Sequence, residues 1–309
     1  MSADFLVIIP TYRRASLLEA VESALNQSHV TVRIVVVDDC PDGSAQQQIG
    51  QLNDPRVTYL KNPKPTGGRP SVVRNLGFDY AAAHGIEGAI VHFLDDDDIV
   101  PAGRYALIRK AFAQHKNIGV IFGIVEPFAV LSDEEGTRAL QEQHLTKERR
   151  FFTEAADTAS ACVRIGAAAK VPLITQWLFA SQAMFGRTLF ICSAAAIRRE
   201  CVETLGGFDT SIRLMEDWEF YARAIQRFGA YFTGDISIKY RVANLEKSLM
   251  HAVVQPDEER IREGNEIDEA IRWKQDKLRK QLGNIAFNVG RILHKAVTKP
   301  LLKYAMKKR

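Results

Sequence analysis

The stretch Val91-His92-Phe93-Leu94-Asp95-Asp96-Asp97-Asp98-Ile99-Val100-Pro101 passes directly from an apolar run to four adjacent carboxylates. The apolar part predicts a buried strand, and the acids then lie at its carboxyl end, where open α/β sheets bind their ligands. Four neighbouring anions repel one another, and a divalent metal ion with oxygen ligands is the usual relief. We therefore expect a metal site here. The alternative is an acidic, solvated turn, because runs of like charge are usually exposed.

Apolar runs and amphipathic segments alternate along the chain, which predicts strands joined by helices in a mostly parallel sheet. The predicted strands of the first part are 5–9, 32–37, 57–60, 89–94 and 119–123. Helices are predicted from Ser16 onwards and at 71–84 and 103–114. A helical insertion at 126–186 is followed by a strand at 188–193, helices at 196–205 and 215–228, and short strands at 231–233 and 236–241.

Two further acidic sites follow the same pattern. The second strand ends in Asp38-Asp39, so these carboxylates are expected at the same edge of the sheet as the four aspartates. Glu216-Asp217 opens a helix, and a helix N-terminus favours an ionised carboxylate. The alternatives are that Asp39 initiates a turn and that Glu216 and Asp217 only cap their helix.

Glycine-rich phosphate loops are absent from the sequence. Neither the pattern G-x-x-x-x-G-K-[ST] nor a strand-linked G-x-G-x-x-G occurs, and Gly67-Gly68 lies in a stretch whose prolines favour a turn. The acidic sites are therefore the candidates for holding a diphosphate through a bound metal ion. Mg²⁺ or Mn²⁺ bound by one or two carboxylates fills its shell with phosphate oxygens and water, so we expect one of these ions as the cofactor.

Four segments in this order resemble glycosyltransferase family 2 with the GT-A fold: 5–43, Arg74-Asn75-x-Gly77, 93–101 and 206–223. The resemblance spans about three quarters of the chain, and four ordered motifs are more specific than any one of them. It implies an α/β protein with a GT-A type open, mostly parallel twisted sheet flanked by helices. The expected additions are the helical insertion and a basic helical tail at the C-terminus.

The resemblance also implies site residues on the nucleotide side. Pro10, Thr11, Tyr12 and Arg13 would line the pocket of the nucleotide-sugar, and Asp39 would hydrogen-bond the nucleobase, usually uracil. The donor would accordingly be a UDP-sugar. The alternative is that Tyr12 is an ordinary aromatic residue of a loop.

Arg74 would approach the nucleotide or its phosphates, and it could equally be a solvated helix residue. Asp95 and Asp96 would bind the nucleotide-sugar, with Asp95 and Asp97 as metal ligands. The four aspartates allow two registers of the family's D-x-D motif, Asp95/Asp97 and Asp96/Asp98. We prefer the first, because Phe93-Leu94 then occupies the family's apolar position.

Asp217 would be the catalytic base of an inverting reaction. Inversion at an anomeric carbon requires a carboxylate that accepts the proton of the attacking hydroxyl, opposite the leaving diphosphate. Glu216 and Trp218 would lie on the acceptor side, although Trp218 could also be a core residue.

The sequence departs from the family at two places. Many members carry a histidine after the late strand, whereas Ala243 follows Tyr240-Arg241-Val242 here, and His251 is only a distant substitute as a metal ligand. No Gln-x-x-Arg-Trp motif follows Asp217, and no apolar run is long enough to span a membrane. We therefore expect transfer of single sugars rather than processive synthesis.

The charge of the chain is concentrated in its tail. Residues 272–309 hold twelve Lys or Arg and one Asp, whereas the other residues hold 29 Lys or Arg and 36 Asp or Glu. Helical spacing places apolar side chains on one face of this tail (Ile285, Val289, Ile292, Leu293, Ala296) and cations on another (Arg291, Lys295, Lys299, Lys303, Lys307), and Pro300 is expected to kink the helix. An anionic membrane surface is the expected partner, with an interaction helix or a frayed tail as alternatives.

Composition and the N-terminal sequence limit the cell compartments and the binding partners to be expected. The four cysteines are scattered without paired spacing, and the N-terminus has no basic targeting region. Both features favour a cytoplasmic protein. It would be peripheral on the inner face of the cell membrane if its tail binds there. No aromatic platform is interleaved with the basic residues, so nucleic acid is not an expected partner. The sequence does not predict an oligomeric state.

The predicted organisation is a GT-A domain at 1–245, divided into a nucleotide-binding half (1–125) and an acceptor half (126–245), with a helical extension at 246–309. The predicted activity is metal-dependent transfer of one sugar from a nucleotide-sugar to a glycan or lipid-linked acceptor in cell-surface polysaccharide synthesis. One alternative is a sugar nucleotidyltransferase, which would usually carry a Gly-rich loop after the first strand. A non-catalytic nucleotide-binding module at the membrane is the other.

Overall fold

The computed structural model describes residues 3–212, 215–242, 272, 275–280 and 283–307. The strands in this part of the chain are β1 Phe5–Thr11, β2 Val32–Asp38, β3 Val57–Lys61, β4 Ile90–Phe93, β5 Val120–Phe128, β6 Ala195–Arg198 and β7 Ala230–Arg241. The helices are α1 Leu17–Leu25, α2 Gln46–Leu52, α3 Pro70–Ala83, α4 Arg104–Gln114, α5 Glu135–Ala169, α6 Pro172–Phe185, α7 Arg199–Leu205, α8 Glu216–Phe228, α9 Asn284–Leu293 and α10 Lys299–Lys307.

The strands form one sheet in the order β3-β2-β1-β4-β6-β5-β7. β6 runs antiparallel to both of its neighbours, and the other adjacent pairs are parallel. Thr11 pairs with Asp38, and Ile8 pairs with Phe93, so β1, β2 and β4 end at the same edge of the sheet. The predicted fold class is therefore confirmed, and this edge gathers the acidic strand ends.

The sheet is sandwiched between helices because its central strands are apolar on both faces. Side chains from Phe5 to Ile9 are fully buried. α3 lies so close to the sheet that a Cβ at Gly77 would stand 2.7 Å from methyl groups of Ile8 and Val37. Glycine at this position allows the close approach, which fixes where the following α3 side chains lie relative to the strand ends.

Two predictions in the second part of the chain are wrong in their details. The strand expected at 188–193 lies instead at Ala195–Arg198, and the helix expected from Ala196 begins at Arg199. Small apolar residues of this segment fit between β4 and β5, where Ala196 pairs with both His92 and Ile121. The two short strands expected at the end are one strand, β7, whose pairing with β5 contains irregularities between Phe122 and Val125.

The helical insertion begins later than predicted. β5 continues to Phe128, and the insertion is the helical pair α5 and α6, which starts at Glu135. The predicted border between the two halves at residue 125 falls inside β5, so both halves contribute to one sheet. The predicted border at residue 245 lies outside the described residues.

The C-terminal helix runs from Asn284 to Lys307 and passes through a π-helical turn at His294–Thr298. It remains helical across Pro300, directly after this turn, where a π-bulge can accommodate the missing N–H of proline. None of the described helices combines the length and the apolar character needed to cross a membrane.

Candidate active site

The four aspartates at the end of β4 differ in exposure. Asp98 is fully buried and Asp96 nearly so, whereas the side chains of Asp95 and Asp97 retain 33% and 19% of their exposure. Asp96 and Asp97 form a turn in which the N–H of Asp98 donates to the carbonyl of Asp95 at 3.3 Å, and this turn leaves the odd-numbered pair more exposed than the even-numbered pair. This arrangement agrees with the preferred Asp95/Asp97 register.

Arginines lie among these carboxylates. Arg14 approaches Asp96 at 3.2 Å and Asp97 at 3.5 Å, and Arg74 binds Asp95 at 2.7 Å. Arg241 donates its backbone N–H to Asp98 Oδ1 at 3.1 Å and its side-chain Nε–H to a backbone carbonyl of the same loop. Arginines therefore relieve part of the repulsion for which the sequence analysis considered only a metal ion.

Repulsion and burial still perturb the aspartates. Burial, followed by the charge of Asp96, raises the pKa of Asp97 to about 7. Burial and the charge of Asp97 hold the pKa of Asp98 well above its ordinary value. A carboxyl with a raised pKa gains from a nearby cation, so Asp97 has a physical reason to bind one.

The donor set suits a divalent ion held by two carboxylates. Asp95 and Asp97 could each offer carboxylate oxygens just after β4, and Mg²⁺ or Mn²⁺ commonly takes one or two carboxylates and completes its shell with phosphate and water. Among the described residues, no group of three His, Cys, Asp or Glu side chains could hold a metal. His251 lies outside the described residues.

Arg74 connects the end of β4 with the start of α8. Its Nη1 donates to Glu216 Oε1 at 2.5 Å, and its Nη2 donates to Asp95 Oδ1 at 2.7 Å. The side chain is 5% exposed, so the alternative of a solvated helix residue is wrong. Because both terminal nitrogens bind carboxylates, contact between Arg74 and a phosphate stays a prediction.

Asp217 is partly exposed in the first turn of α8. Burial, with a smaller contribution from the neighbouring charge of Glu216, raises its pKa to about 7. A carboxylate with this pKa can accept a proton near neutral pH. Trp218 follows it and lines a crevice with Thr188 and Phe190. The acceptor-side role of Trp218 stays a prediction.

The turn before α8 is fastened to α3. Asn75 Nδ2 donates to the carbonyl of Phe208 at 2.8 Å, and its Oδ1 accepts the N–H of Phe208 at 2.9 Å. Arg223 on α8 binds Glu219 at 2.6 Å and also donates to the carbonyl of Gly207 at 3.0 Å. These contacts fix the position at which α8 begins, and thereby the position of its first-turn acids.

The predicted nucleotide-side residues lie around the end of β1. Tyr12 is 42% exposed, and its N–H donates to Asp96 Oδ2 at 3.4 Å. Thr11 is buried, Pro10 is half-buried, and the exposed Arg13 pairs with Asp42. The strand end therefore presents Tyr12 and Arg13 to solvent.

Asp39 has protein partners that the sequence did not predict. Its two oxygens accept hydrogen bonds from Asn62 Nδ2, from the N–H and Oγ1 of Thr66, and from the N–H of Gly68, at 2.6 to 3.1 Å. Four donors occupy the acceptor positions of a carboxylate, so Asp39 orders the loop at 62–68. Its contact with a nucleobase stays a prediction.

Sequence reasoning did not single out Arg14, Arg241 or Ser193. The Oγ of Ser193 accepts the N–H of Asp95 at 3.1 Å, and its carbonyl accepts a hydrogen bond from buried His92 at 2.8 Å. Arg14 stands within the Thr-Tyr-Arg-Arg stretch and could have been found there. For Arg241 and Ser193 the sequence carries no signal, because each reaches the aspartates from a distant strand or turn.

The first half of the chain matches a known protein family. The model described as Glycosyl transferase family 2 matches residues 6–169, which covers β1 to β5 and the whole of α5. The chain belongs to glycosyl transferase family 2. The resemblance drawn from the motifs is therefore confirmed at the level of the family.

Two curated relatives match shorter stretches. The minor teichoic acid biosynthesis protein GgaB of Bacillus subtilis is 37% identical over 120 residues, which are 37% of this chain and 12% of GgaB. The succinoglycan biosynthesis protein ExoO of Rhizobium meliloti is 34% identical over 119 residues, which are 38% of this chain and 32% of ExoO. The matched stretch thus covers a third or less of either relative.

One similar solved structure is that of the mannosyltransferase PcManGT from Pyrobaculum calidifontis in complex with GDP-Man and Mn²⁺. The likeness covers 99% of this family 2 chain and 74% of that one, with a TM-score of 0.53 and 18% sequence identity. At this identity the likeness shows the fold alone.

Proposed function

We propose that the protein transfers a single sugar, with inversion, from a nucleotide-sugar to a hydroxyl group of a glycan or lipid-linked acceptor. The observation that carries this proposal is the buried chain of ion pairs from Asp95 through Arg74 to Glu216, next to Asp217. It links the strand end that suits a diphosphate to the helix turn that carries a carboxylate able to accept a proton.

Asp217 is the proposed base. In its ionised form it takes the proton of the acceptor hydroxyl while that oxygen attacks the anomeric carbon of the donor. The pKa of about 7 makes its carboxylate a stronger base than an ordinary aspartate, and still leaves a large ionised fraction near neutral pH. Glu216 contributes through its charge and holds Arg74 in place.

Asp95 and Asp97 are the proposed metal ligands. Mg²⁺ or Mn²⁺ bound there would neutralise charge on the diphosphate as it leaves. Tyr12, Arg13 and the loop held by Asp39 would contact the nucleoside. A uridine diphosphate donor is part of the proposal and rests on the family motif at Asp39.

Support for the biological setting comes from the names of the relatives. GgaB and ExoO are named for the biosynthesis of teichoic acid and succinoglycan, both surface polymers. We place the reaction in cell-surface polysaccharide assembly in the cytoplasm. Since this chain matches only part of each relative, the acceptor is proposed by class.

The proposal is tested by incubating the protein with a panel of nucleotide-sugars and measuring release of nucleoside diphosphate with and without Mn²⁺. We expect metal-dependent release with at least one donor. Asp217→Asn should abolish transfer but retain binding of the nucleoside diphosphate, and Asp97→Ala should lose metal-dependent binding as well.

Asp79→Asn is the matched control, because Asp79 is an exposed carboxylate on the same helix as Arg74. Near-normal turnover by Asp97→Ala or Asp217→Asn would show that their assigned roles are wrong. Release of pyrophosphate from a sugar phosphate and a nucleoside triphosphate would favour a nucleotidyltransferase. Metal-independent binding of nucleotide without turnover with any donor would favour a non-catalytic module.

A further inference from the structure

Within the part of the chain that the structure describes, the tail helix, residues 284–307, packs against the rest of the protein through one face. The buried residues of that face are Phe287, His294, Thr298 and Leu302. Ser181 on α6 hydrogen-bonds both His294, at 3.1 Å, and Thr298, at 3.0 Å. The carbonyl of Ala305 accepts a hydrogen bond from Arg164 on α5. The helix is therefore held in a fixed rotation against the helical pair.

A second face of the tail helix is apolar and exposed. We call it the apolar stripe; its members follow helical spacing and are Ile285, Val289, Ile292, Leu293, Val297 and Leu301. Ile285 is 83% exposed and Ile292 is 62% exposed. Burying such side chains is worth about 1.5–3 kcal/mol each, so a continuous exposed set is unfavourable in water. No described part of the chain covers it.

A third face carries a row of cations. These residues are all exposed and stand every fourth position: Arg291, Lys295, Lys299, Lys303 and Lys307. Residues 284–307 contain no Asp or Glu. A spacing of four exceeds the 3.6 residues of an α-helical turn, and the π-helical turn at His294–Thr298 accounts for the difference, so each row stays on its own side.

We infer that the tail helix is an interfacial helix that binds an anionic lipid surface, with the apolar stripe among the acyl chains and the cation row at the headgroups. An apolar stripe beside a cationic row is the composition of helices that lie in the membrane interface. A second copy of this chain would bring the same row of positive charges to the contact, which disfavours self-association there. Nucleic acid would use the cations but leave the apolar stripe exposed.

Among the described residues, an apolar cluster and two ion pairs connect the docked helix with α8 and the turn before it. Phe287 packs with Leu278 in one apolar cluster. The preceding Lys277 forms ion pairs with Asp209, at 2.5 Å, and with Glu219 on α8, at 3.2 Å. The tail helix that would bind lipid is therefore linked, through Leu278 and Lys277, to the helix that carries the proposed base. If the proposed function holds, this placement favours the lipid-linked class of acceptor.

The test uses the full chain and vesicles of phosphatidylcholine, with or without phosphatidylglycerol. We expect co-sedimentation with the anionic vesicles, weakened by salt. Val289→Ser with Ile292→Ser, and separately Lys295→Glu with Lys299→Glu, should each lower vesicle affinity by about tenfold or more. These side chains are exposed, so the unfolding midpoint should stay near that of the wild type.

Leu107→Ser with Lys110→Glu is the matched control, because both residues are exposed on α4. Absence of binding by the wild type, equal binding to neutral vesicles, or equal loss in the control would overturn the inference. So would displacement from vesicles by RNA. Nucleotide-sugar turnover, measured on the same samples, separates the two proposals, since the tail variants should keep it unchanged.

Discussion

Arg74 and Glu216 stand 142 positions apart in the sequence and form a buried ion pair, with 2.5 Å between Nη1 and Oε1. The second terminal nitrogen of Arg74 binds Asp95. One guanidinium thus links α3, the end of β4 and the start of α8. The geometry between the metal-ligand candidates and the proposed base depends on this residue, because each of the three elements belongs to a different part of the chain.

Replacing Arg74 should destabilise the protein strongly. Arg74→Met leaves two carboxylates without their cation, and breaking a buried ion pair from one side costs about 3–5 kcal/mol. Urea unfolding measures the loss. Adding Glu216→Gln to this variant should recover part of it, because one unpaired charge is removed.

Arg109→Met is the control, since Arg109 pairs with Asp4 at an exposed site and exposed pairs contribute about 0–1 kcal/mol. Equal losses for the two arginines would show that the Arg74 ion pairs are not structural.

The pH dependence of transfer should report Asp217. A general base acts only when ionised, so kcat/KM should fall as the pH drops through the pKa of about 7. Glu216→Gln removes a charge that raises this pKa, and the acid limb of the profile should move to lower pH. Glu200→Gln, at an exposed position, should leave the limb in place. A limb that stays fixed or moves to higher pH in Glu216→Gln would contradict the assignment.

Asp97→Asn should stabilise the metal-free protein at pH 8. The pKa of Asp97 is raised to about 7 in the fold, so between its ordinary value and 7 the folded state binds more protons than the unfolded state. The free energy of unfolding therefore falls as pH rises through this range. Removing the charge should raise stability on the order of 2 kcal/mol at pH 8 and little at pH 4.

Thermal unfolding at the two pH values, without metal, measures this difference. The same variant should lose Mn²⁺-dependent binding of nucleoside diphosphate, so stability and function change in opposite directions. A loss of stability at pH 8 equal to that at pH 4 would refute the argument from charge repulsion.

Gly206 and Gly207 offer a paired test of the turn before α8. Both have positive φ, but a Cβ at Gly207 would lie 2.5 Å from Asn75 Oδ1, and one at Gly206 would meet nothing within 4 Å. Gly206→Ala should cost about 1 kcal/mol from backbone conformation alone. Gly207→Ala should cost about 1–2 kcal/mol more, because it also displaces Asn75 from Phe208.

Both losses are measured by urea unfolding. Gly207→Ala should also lower kcat/KM, because the turn sets where α8 starts. If both glycines gave equal losses and full activity, the clamp by Asn75 would not position the site.

Asp39→Asn should loosen the loop at 62–68. An amide would place a donor against the donors of Thr66 or Gly68, leaving buried N–H groups unpaired. Hydrogen exchange in this loop should rise, and nucleotide binding should weaken if the loop contacts the nucleoside. Asp79→Asn, at an exposed carboxylate on α3, should change neither. Unchanged exchange in Asp39→Asn would refute the ordering role.

Sequence reasoning identified the three acidic sites, because each follows a strongly apolar strand or opens an amphipathic helix. It did not predict the loop donors that bind Asp39 or the arginines that pair with Asp95, Asp96 and Asp97. Local pattern does not encode that Arg241 returns from the last strand to meet Asp98, or that the loop at 62–68 folds back onto Asp39. The same limit explains why the strand at Ala195–Arg198 was predicted at the wrong residues, because the gap between β4 and β5 sets its position.

The tail helix also shows what periodicity predicts and what only packing decides. Periodicity correctly separated an apolar set from a cationic set around Arg291. Periodicity did not predict which residues of the tail helix are buried, among them Phe287 and His294. Only contact with α6 distinguishes an apolar face that docks from one that stays exposed.

The order of apolar runs, turn residues and carboxylates by itself determined the α/β class, the family and the acidic strand ends, because backbone periodicity and the burial of apolar side chains act over short distances. Tertiary structure decided which arginine meets which aspartate, which face of the tail is free, and how near Asp217 lies to the end of β4. Those relationships join residues far apart in the chain, and only the close packing of the completed sheet and helices brings them together.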